Sequence, residues 1–290
     1  MSIEVSDIAL KQNTILRDRY QIKEAYYLGQ IGIVYFAMDL ELNKEVAVKE
    51  FMPYTIANRD MDGKSIVCKS RACESSFRKA KENFNLECEY VKKLKTLKKP
   101  YEGCVVHYLD SFMENNTQYL ITEKIQGKSL QDYIESGEVF SVRKTMQMLV
   151  SIVRQIHKKG IIHCDIKPSN LLLREDGKLV LIDFGSACYK NNISRDMIFV
   201  SRGYSAPELY RGEKIDKRTD IYSIGAVLYY MLTDSQLPEP DDYDEAEELP
   251  RISEYIEISE CLEKVILKML NRNTKKRLDN LLILQFILKI

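Results

Sequence analysis

The spacing of apolar residues changes character once along the chain, near Gly127, and this narrows the fold more than any bulk property. Before it, short runs rich in β-branched and aromatic residues (20–25, 33–38 and 45–50) are separated by turn-forming Gly29, Gly32 and Asn43 and read as strands. A long amphipathic helix follows over 77–97, apolar at Phe77, Phe84, Cys88, Val91 and Leu94 among many lysines. Two more strand-like runs, 105–113 and 118–124, flank the turn signal Glu114-Asn115-Asn116. After Gly127 the pattern becomes helical. The stretch 141–159 is amphipathic, and 221–232 is apolar at ten of its twelve positions, which places it in an interior. Between them, 171–174 and 179–182 joined by Glu175-Asp176-Gly177 read as a small hairpin. The expected class is α+β: a β-rich lobe with one main helix, then a larger, mostly helical lobe.

The 290 residues carry 43 Lys+Arg against 43 Asp+Glu, a formal net charge of zero. Phosphate backbones and anionic lipids are held by excess positive charge, so neither a nucleic acid nor a membrane surface is expected as partner. No run approaches the roughly 20 apolar residues of a membrane span, and the start, MSIEVSDIAL, lacks the basic flank of a secretory signal. A cytoplasmic location is therefore expected. The seven cysteines are scattered and form no C-x-x-C pair, so reduced thiols are the simplest reading. The segment 239–248 is strongly acidic and reads as a solvated loop, with a basic partner as the alternative; the apolar 281–290 reads as a last helix packed on the domain, with an exposed docking surface as its alternative.

The strongest local signal is His163-Cys164-Asp165-Ile166-Lys167-Pro168-Ser169-Asn170, followed by Asp183-Phe184-Gly185. Asp, Lys and Asn at this spacing, with a second Asp at a strand end, put a base, a cation and two hard oxygen ligands around one point. Phosphoryl transfer needs that set, because its catalysis is mostly positioning and charge stabilisation around a Mg²⁺ ion.

At these residues the chain resembles the eukaryotic-type serine/threonine protein kinase family, and its bacterial members in particular, over about 20–277. Val46-Ala47-Val48-Lys49 matches the strand whose lysine contacts the α- and β-phosphates. Glu87 matches the glutamate that pairs with that lysine; Glu89 lies about 200° round the helix, so only one of the two can face it. Ser205-Ala206-Pro207-Glu208 supplies the A-P-E motif, Asp220 opens the buried helix as the family's aspartate does, and Arg277 matches the arginine that pairs with the A-P-E glutamate. The resemblance implies a two-lobed protein kinase fold with an antiparallel N-terminal sheet: an extension over 1–19, the N-lobe over 20–122 and the C-lobe over 123–290.

It also implies roles. Asp165 accepts the substrate hydroxyl's proton, Lys167 neutralises charge on the γ-phosphate, and Asn170 and Asp183 hold Mg²⁺, with Mn²⁺ as the alternative. Gly29, Gly32, Val34, Ala47, Lys49, Thr122, Glu123, Ile125 and Leu172 form the ATP site, with Thr122 as gatekeeper, the Glu123 and Ile125 backbones on adenine, and Val34, Ala47 and Leu172 about the ring. Lys167 and Ser201 resemble the serine/threonine-specific branch, so the expected partner is a protein with a Ser or Thr acceptor.

Several positions depart from the family pattern. Counting back from Val34, the G-x-G-x-x-G pattern falls on Tyr27, Gly29 and Gly32; the other alignment makes Gly29 the first glycine and shortens the loop by two residues. Cys164 replaces the arginine of H-R-D, which in the family commonly binds a phosphorylated activation-loop residue, so strict dependence on loop phosphorylation is not expected. Cys188 falls near the same arginine, which raises a redox-sensitive Cys164–Cys188 pair against two free thiols. The long 51–76 segment, with Asn58-Arg59-Asp60-Met61-Asp62-Gly63, fits an extra hairpin. Two other function classes stand beside the kinase: a pseudokinase or scaffold, supported by the irregular glycine loop and opposed by intact Lys49, Glu87, Asp165, Asn170 and Asp183, and a small-molecule phosphotransferase, opposed by the A-P-E platform.

Overall fold

The computed structural model describes residues 5–97, 101–190, 199–239 and 249–288. The chain divides into two compact units, one made of residues 1–96 and 106–125, the other of 97–105 and 126–290.

In the first unit, a short helix α1 (Val5–Ile8) precedes strands β1 (Ile15–Leu16), β2 (Tyr20–Leu28), β3 (Gly32–Asp39) and β4 (Lys44–Phe51). Next come a hairpin of β5 (Ala57–Arg59) and β6 (Ile66–Cys68), helix α2 (Glu74–Leu94), and strands β7 (Tyr108–Glu114) and β8 (Thr117–Glu123). The main sheet runs β1-β2-β3-β4-β8-β7, and every adjacent pair is antiparallel. Local chemistry sets its turns: Glu114 pairs with Thr117 across a two-residue loop, Asn115-Asn116, whose φ values of 51° and 56° are those of a type I′ hairpin that asparagine tolerates. Alternation then sorts the faces. Tyr35, Ala37, Val46, Val48, Tyr119 and Ile121 form one buried core, leaving Val34, Ala47 and Lys49 on the opposite, half-buried face.

The expected extra hairpin is present as β5–β6, with Arg59 opposite Ile66. Arg59 points inward: its guanidinium donates to Glu50 Oε1 at 2.7 Å, to Glu50 Oε2 at 2.6 Å and to the Ile8 carbonyl at 2.7 and 2.9 Å. Tyr35 and Tyr119 donate their hydroxyls to the same carboxylate, and the Leu10 N–H bonds Tyr35 Oη. A buried charge pair thus ties the N-terminal segment and the hairpin to β4. The sheet also begins earlier than Tyr20, because Ile15 and Leu16 pair with Gln21 and Tyr20.

The second unit contains β9 (Gly127–Ser129), α3 (Leu130–Glu135), α4 (Val142–Lys158), β10 (Ile161–Ile162), β11 (Leu171–Arg174), β12 (Leu179–Leu181), β13 (Cys188–Tyr189), α5 (Pro207–Tyr210), α6 (Lys217–Thr233), α7 (Glu260–Met269) and α8 (Leu282–Ile287). The sequence pattern turns helical directly after Gly127, whereas the structure first forms β9, which pairs with β11. Gly127-Lys128-Ser129 has no intrinsic strand preference; tertiary pairing selects it, and a Cβ on Gly127 would collide with the Leu173 carbonyl oxygen. Ser129 and Asp132 then open α3 with a reciprocal capping box. Helix α6 is buried at twelve positions on all sides, as its composition requires. Arg143 and Gln147 of α4 donate to the Leu288 carbonyl at 2.6 and 2.5 Å, which seats α8. Residues 240–248 of the acidic segment lie outside the described residues.

Candidate active site

In the first unit, sheet register gathers the predicted residues. Val34 pairs with Lys49, and Ala47 with Thr122, so Val34, Ala47, Lys49 and Thr122 share one face of three neighbouring strands. Helix α2 turns Ala80, Phe84, Glu87, Cys88, Val91 and Leu94 inward at helical spacing, leaving Glu89 exposed. Glu87, only 2% exposed, receives Lys49 Nζ on Oε1 at 2.6 Å. The Glu123 N–H is spent on the His107 carbonyl at 3.0 Å, and Glu123 Oε1 accepts the His107 N–H in return. Ile125 follows, half-buried. Gly29 and Gly32 close the β2–β3 turn through Gly29 N–H to Gly32 O at 2.8 Å, while Tyr27 sits in β2 opposite Val34. Gly32 is required by proximity: a Cβ there would lie 2.5 Å from the Glu50 carbonyl oxygen.

In the second unit, the segment after β10 is held by its backbone. Asp220, at the start of α6 and fully buried, accepts the His163 N–H on Oδ2 at 2.9 Å and the Cys164 N–H on Oδ1 at 2.8 Å. His157 Nε2 of α4 lies 2.7 Å from the same Oδ2. Burial alone pushes the Asp220 carboxyl up, but the His157 hydrogen bond, the neighbouring histidines and the backbone N–H outweigh it and hold the carboxyl below its usual range. Cys164 itself sits at φ 63°, a left-handed conformation that a non-glycine residue adopts only when its surroundings enforce it. The His163 ring meets Phe184 edge-on at 4.7 Å, and its Nε2 lies 3.2 Å from the Ile182 carbonyl.

Three polar groups converge just beyond this anchor. Ser201 Oγ donates to Asp165 Oδ1 at 2.6 Å and accepts from Lys167 Nζ at 2.9 Å, while Lys167 Nζ also lies 2.9 Å from Asp165 Oδ2. Asn170 is part of the same cluster, its Nδ2 donating to the Asp165 carbonyl and to Asp165 Oδ2, each at 2.9 Å. Asp183 is placed alongside because the Ile182 N–H bonds the Asn170 carbonyl at 3.0 Å. Asp183 has φ 58°, and its Oδ1 accepts the Gly185 N–H. Leu172, on β11 opposite Ser129 and Val180, is half-buried.

The platform after Ser201 is pinned separately. Arg277 makes a two-pronged pair with Glu208, at 2.6 and 2.9 Å, with both side chains essentially unexposed, and Thr219 Oγ1 adds a third bond to Glu208. The His157–Asp220 contact and the left-handed Cys164 were not foreseen from sequence; the only advance sign was a carboxylate opening an otherwise apolar helix.

The donor set fits a hard divalent cation. Asn170 has both amide N–H groups committed to Asp165, which leaves Oδ1 as the group it can offer a metal, beside the Asp183 carboxylate. Among the described residues no cluster of three or more His, Cys, Asp and Glu could hold a metal. Mg²⁺ does not need one, since it is usually bound by one or two carboxylates plus substrate phosphates and water.

The family model for the protein kinase domain matches residues 20–286. The chain belongs to the protein kinase domain family. The kinase domain is 28% identical over 282 residues to a protein described as a probable serine/threonine-protein kinase of Clostridium acetobutylicum, covering 92% of this chain and 39% of that protein. It is 25% identical over 278 residues to the serine/threonine-protein kinase PknB of Mycolicibacterium smegmatis, covering 90% of this chain and 41% of that protein. The chain thus spans about two fifths of the length of these relatives. Among solved structures, the apo form of PpkA-294 matches with a TM-score of 0.77 at 25% identity, over 97% of this chain and 99% of that one. The PknI kinase domain of Mycobacterium tuberculosis matches with a TM-score of 0.68 at 16% identity, over 97% and 98%. The fold is the α+β protein kinase fold. No helix among the described residues is long and apolar enough to cross a membrane.

Proposed function

We propose that this chain is a serine/threonine protein kinase domain spanning 20–290, which transfers the γ-phosphate of ATP to a protein hydroxyl with a divalent cation, Mg²⁺ or alternatively Mn²⁺, bound at Asn170 and Asp183. The observation that carries the reading is the Asp165–Lys167–Ser201 cluster, a carboxylate and an ammonium converging on one hydroxyl at 2.6 and 2.9 Å. Asp165 is positioned to orient an acceptor hydroxyl and take its proton. Lys167 offsets charge on the phosphoryl group in transfer, and Ser201 holds these two side chains in register. Lys49, steadied by Glu87, serves the phosphates. Val34, Ala47, Thr122, Glu123 and Ile125 of the first unit, and separately Leu172 of the second, are assigned to adenine, and Gly29 and Gly32 let the β2–β3 turn approach the phosphates. A divalent cation held by Asn170 and Asp183 would supply positive charge to offset that of the phosphates.

The side chain at 164 supports independence from loop phosphorylation. Where the family pattern has arginine, Cys164 packs with the apolar Ile162, Cys188, Leu209 and Ile215, so the side chain at 164 offers a phosphate no positive charge. Phosphatase treatment should leave the rate unchanged; an inert product that recovers only on loop phosphorylation refutes this. The acceptor is a protein Ser or Thr, and the seven free thiols fit the reducing cytoplasm.

The test is incubation with γ-labelled ATP, divalent cation and a generic protein acceptor. Label should reach protein and vanish in Asp165→Asn and Asp183→Asn. Nucleotide binding without any transfer identifies a pseudokinase instead, and label on a small molecule alone identifies a metabolite phosphotransferase.

A further inference from the structure

Two nucleophilic side chains next to the active site have no part in phosphoryl transfer. Cys164 directly precedes Asp165, and Cys188 opens the segment leading to residues 191–198. Ile162 is the strand partner of Cys188, which brings the residue two places beyond Ile162 diagonally over it, and the Cys164 and Cys188 sulfurs lie 3.8 Å apart. Both thiols are buried, Cys164 completely and Cys188 to 6% exposure, in the cluster with Ile162, Leu209 and Ile215.

The two sides of this contact are unequally fixed. The Cys164 backbone is clamped by Asp220 at 2.8 Å, whereas Cys188 lies on a two-residue strand whose register is Ile161–Tyr189 and Ile162–Cys188. Short pairing of this kind opens at low cost, so Cys188 is the thiol a small solute reaches first.

We propose that Cys164 and Cys188 are a redox modification site, at which hydrogen peroxide converts the two thiols into a disulfide that ties the catalytic loop to β13. In the first step the Cys188 sulfur attacks peroxide: an S–O bond forms, the O–O bond breaks and water leaves, giving a sulfenic acid. In the second, the Cys164 sulfur attacks the sulfenic sulfur, the S–S bond forms, and the hydroxyl departs as a second water with the Cys164 proton. Overall the two thiols give up two electrons and two protons, and peroxide is reduced to two waters. The neighbouring Cys188 sulfur and burial hold the Cys164 thiol well above its ordinary range, which suits it to the second step rather than the first.

The bond has a mechanical consequence. Sulfurs at 3.8 Å must close to about 2.05 Å, a movement of about 1.8 Å. Cys164 is the covalent neighbour of Asp165, whose Oδ1 is held at 2.6 Å from Ser201 Oγ. Displacements of about 1 Å at such a site cost on the order of 100-fold in rate. The oxidised protein is therefore the slow form, and a thiol reductant restores it. This effect on rate rests on the kinase reading; formation of the bond does not.

The experiment uses the full chain with Cys68, Cys73, Cys104 and Cys261 replaced by serine, so that the more accessible thiols do not compete. After brief peroxide treatment and alkylation, a non-reduced digest should contain the 164–188 linked peptide, two hydrogens lighter than its parts. The melting temperature should rise, and kcat should fall at least tenfold and recover with dithiothreitol. Cys188→Ala should form no linked peptide and keep its rate through peroxide. Recovery of Cys164 and Cys188 as separate alkylated peptides overturns the site, and a linked peptide with unchanged melting temperature and unchanged kcat overturns the restraint. If neither redox form transfers phosphate, the linked peptide and melting temperature still decide the site, and the failure falls on the kinase reading alone.

Discussion

Asp220→Asn is the sharpest test of how the catalytic loop is held. The carboxylate takes three contacts: Oδ2 accepts the His163 N–H at 2.9 Å and faces His157 Nε2 at 2.7 Å, and Oδ1 accepts the Cys164 N–H at 2.8 Å. An asparagine keeps the shape but has one acceptor oxygen. If that oxygen takes the Oδ2 place, the amide N–H₂ faces the Cys164 N–H; if the amide turns over, the His163 N–H is stranded instead. Either way one buried backbone donor loses a charge-assisted bond, about 1.5–3 kcal/mol, and is left unmade at about 1–3 kcal/mol more. The expected loss in urea unfolding at pH 7 is about 3–5 kcal/mol. Because the stranded donor is at or next to Cys164, Asp165 should shift, and kcat should fall roughly 100-fold. The pH dependence has a definite sign. The folded pKa of Asp220 is depressed, so its stabilisation is fully present above the unfolded value of 3.8 and is lost as pH falls through the lower folded value. The gap between wild type and variant should therefore persist down to about pH 3.8 and shrink on acidification below it. A stability within about 0.5 kcal/mol of wild type, with kcat within about threefold, would refute the claim that this carboxylate positions the loop.

Three further outcomes follow from single contacts. Ser201→Ala removes the hydroxyl bridging Asp165 and Lys167 and should lower kcat about tenfold or more with little change in the ATP KM, while Ser201→Thr should retain most of the rate, as steady-state kinetics would read. Gly32→Ala puts a Cβ 2.5 Å from the Glu50 carbonyl oxygen, so the β2–β3 turn must lift away; the ATP KM should rise about tenfold at near-normal kcat. Arg59→Leu strands the Glu50 carboxylate, which is 0% exposed, and should cost about 3–5 kcal/mol by chemical denaturation, with proteolysis opening the N-terminal segment that Arg59 holds through the Ile8 carbonyl.

What could be read from the sequence was whatever depends on neighbours in the chain. Asp165, Lys167 and Asn170 belong to one loop, so their spacing alone brings them together. The Asn115-Asn116 turn is equally local, and so is the hairpin around Gly63, whose φ of 69° is natural for glycine. Contacts made across the chain left no such trace. The two-residue strands β1, β10 and β13 exist only because a partner lies beside them. Arg59 reads as a surface arginine until Glu50 and Ile8 fold around it. His157 reads as one more polar residue at a helix end, yet it meets Asp220, 63 residues on.

Cys164 shows how backbone and side chain carry separate requirements at one position. Its place next to Asp165 depends on its N–H, bonded to Asp220, and on its φ of 63°, and neither involves the sulfur. Replacing the family's arginine with cysteine therefore leaves what positions Asp165 intact and removes only the cation beside it. The exchanged side chain drops into an apolar cluster with Cys188, where a dry, uncharged contact costs nothing that the loop's geometry requires. A departure at the centre of a signature motif is thus compatible with the contacts that hold Asp165, Lys167, Asn170 and Ser201 together, because the fold holds this residue by its main chain and leaves its side chain open to a different use.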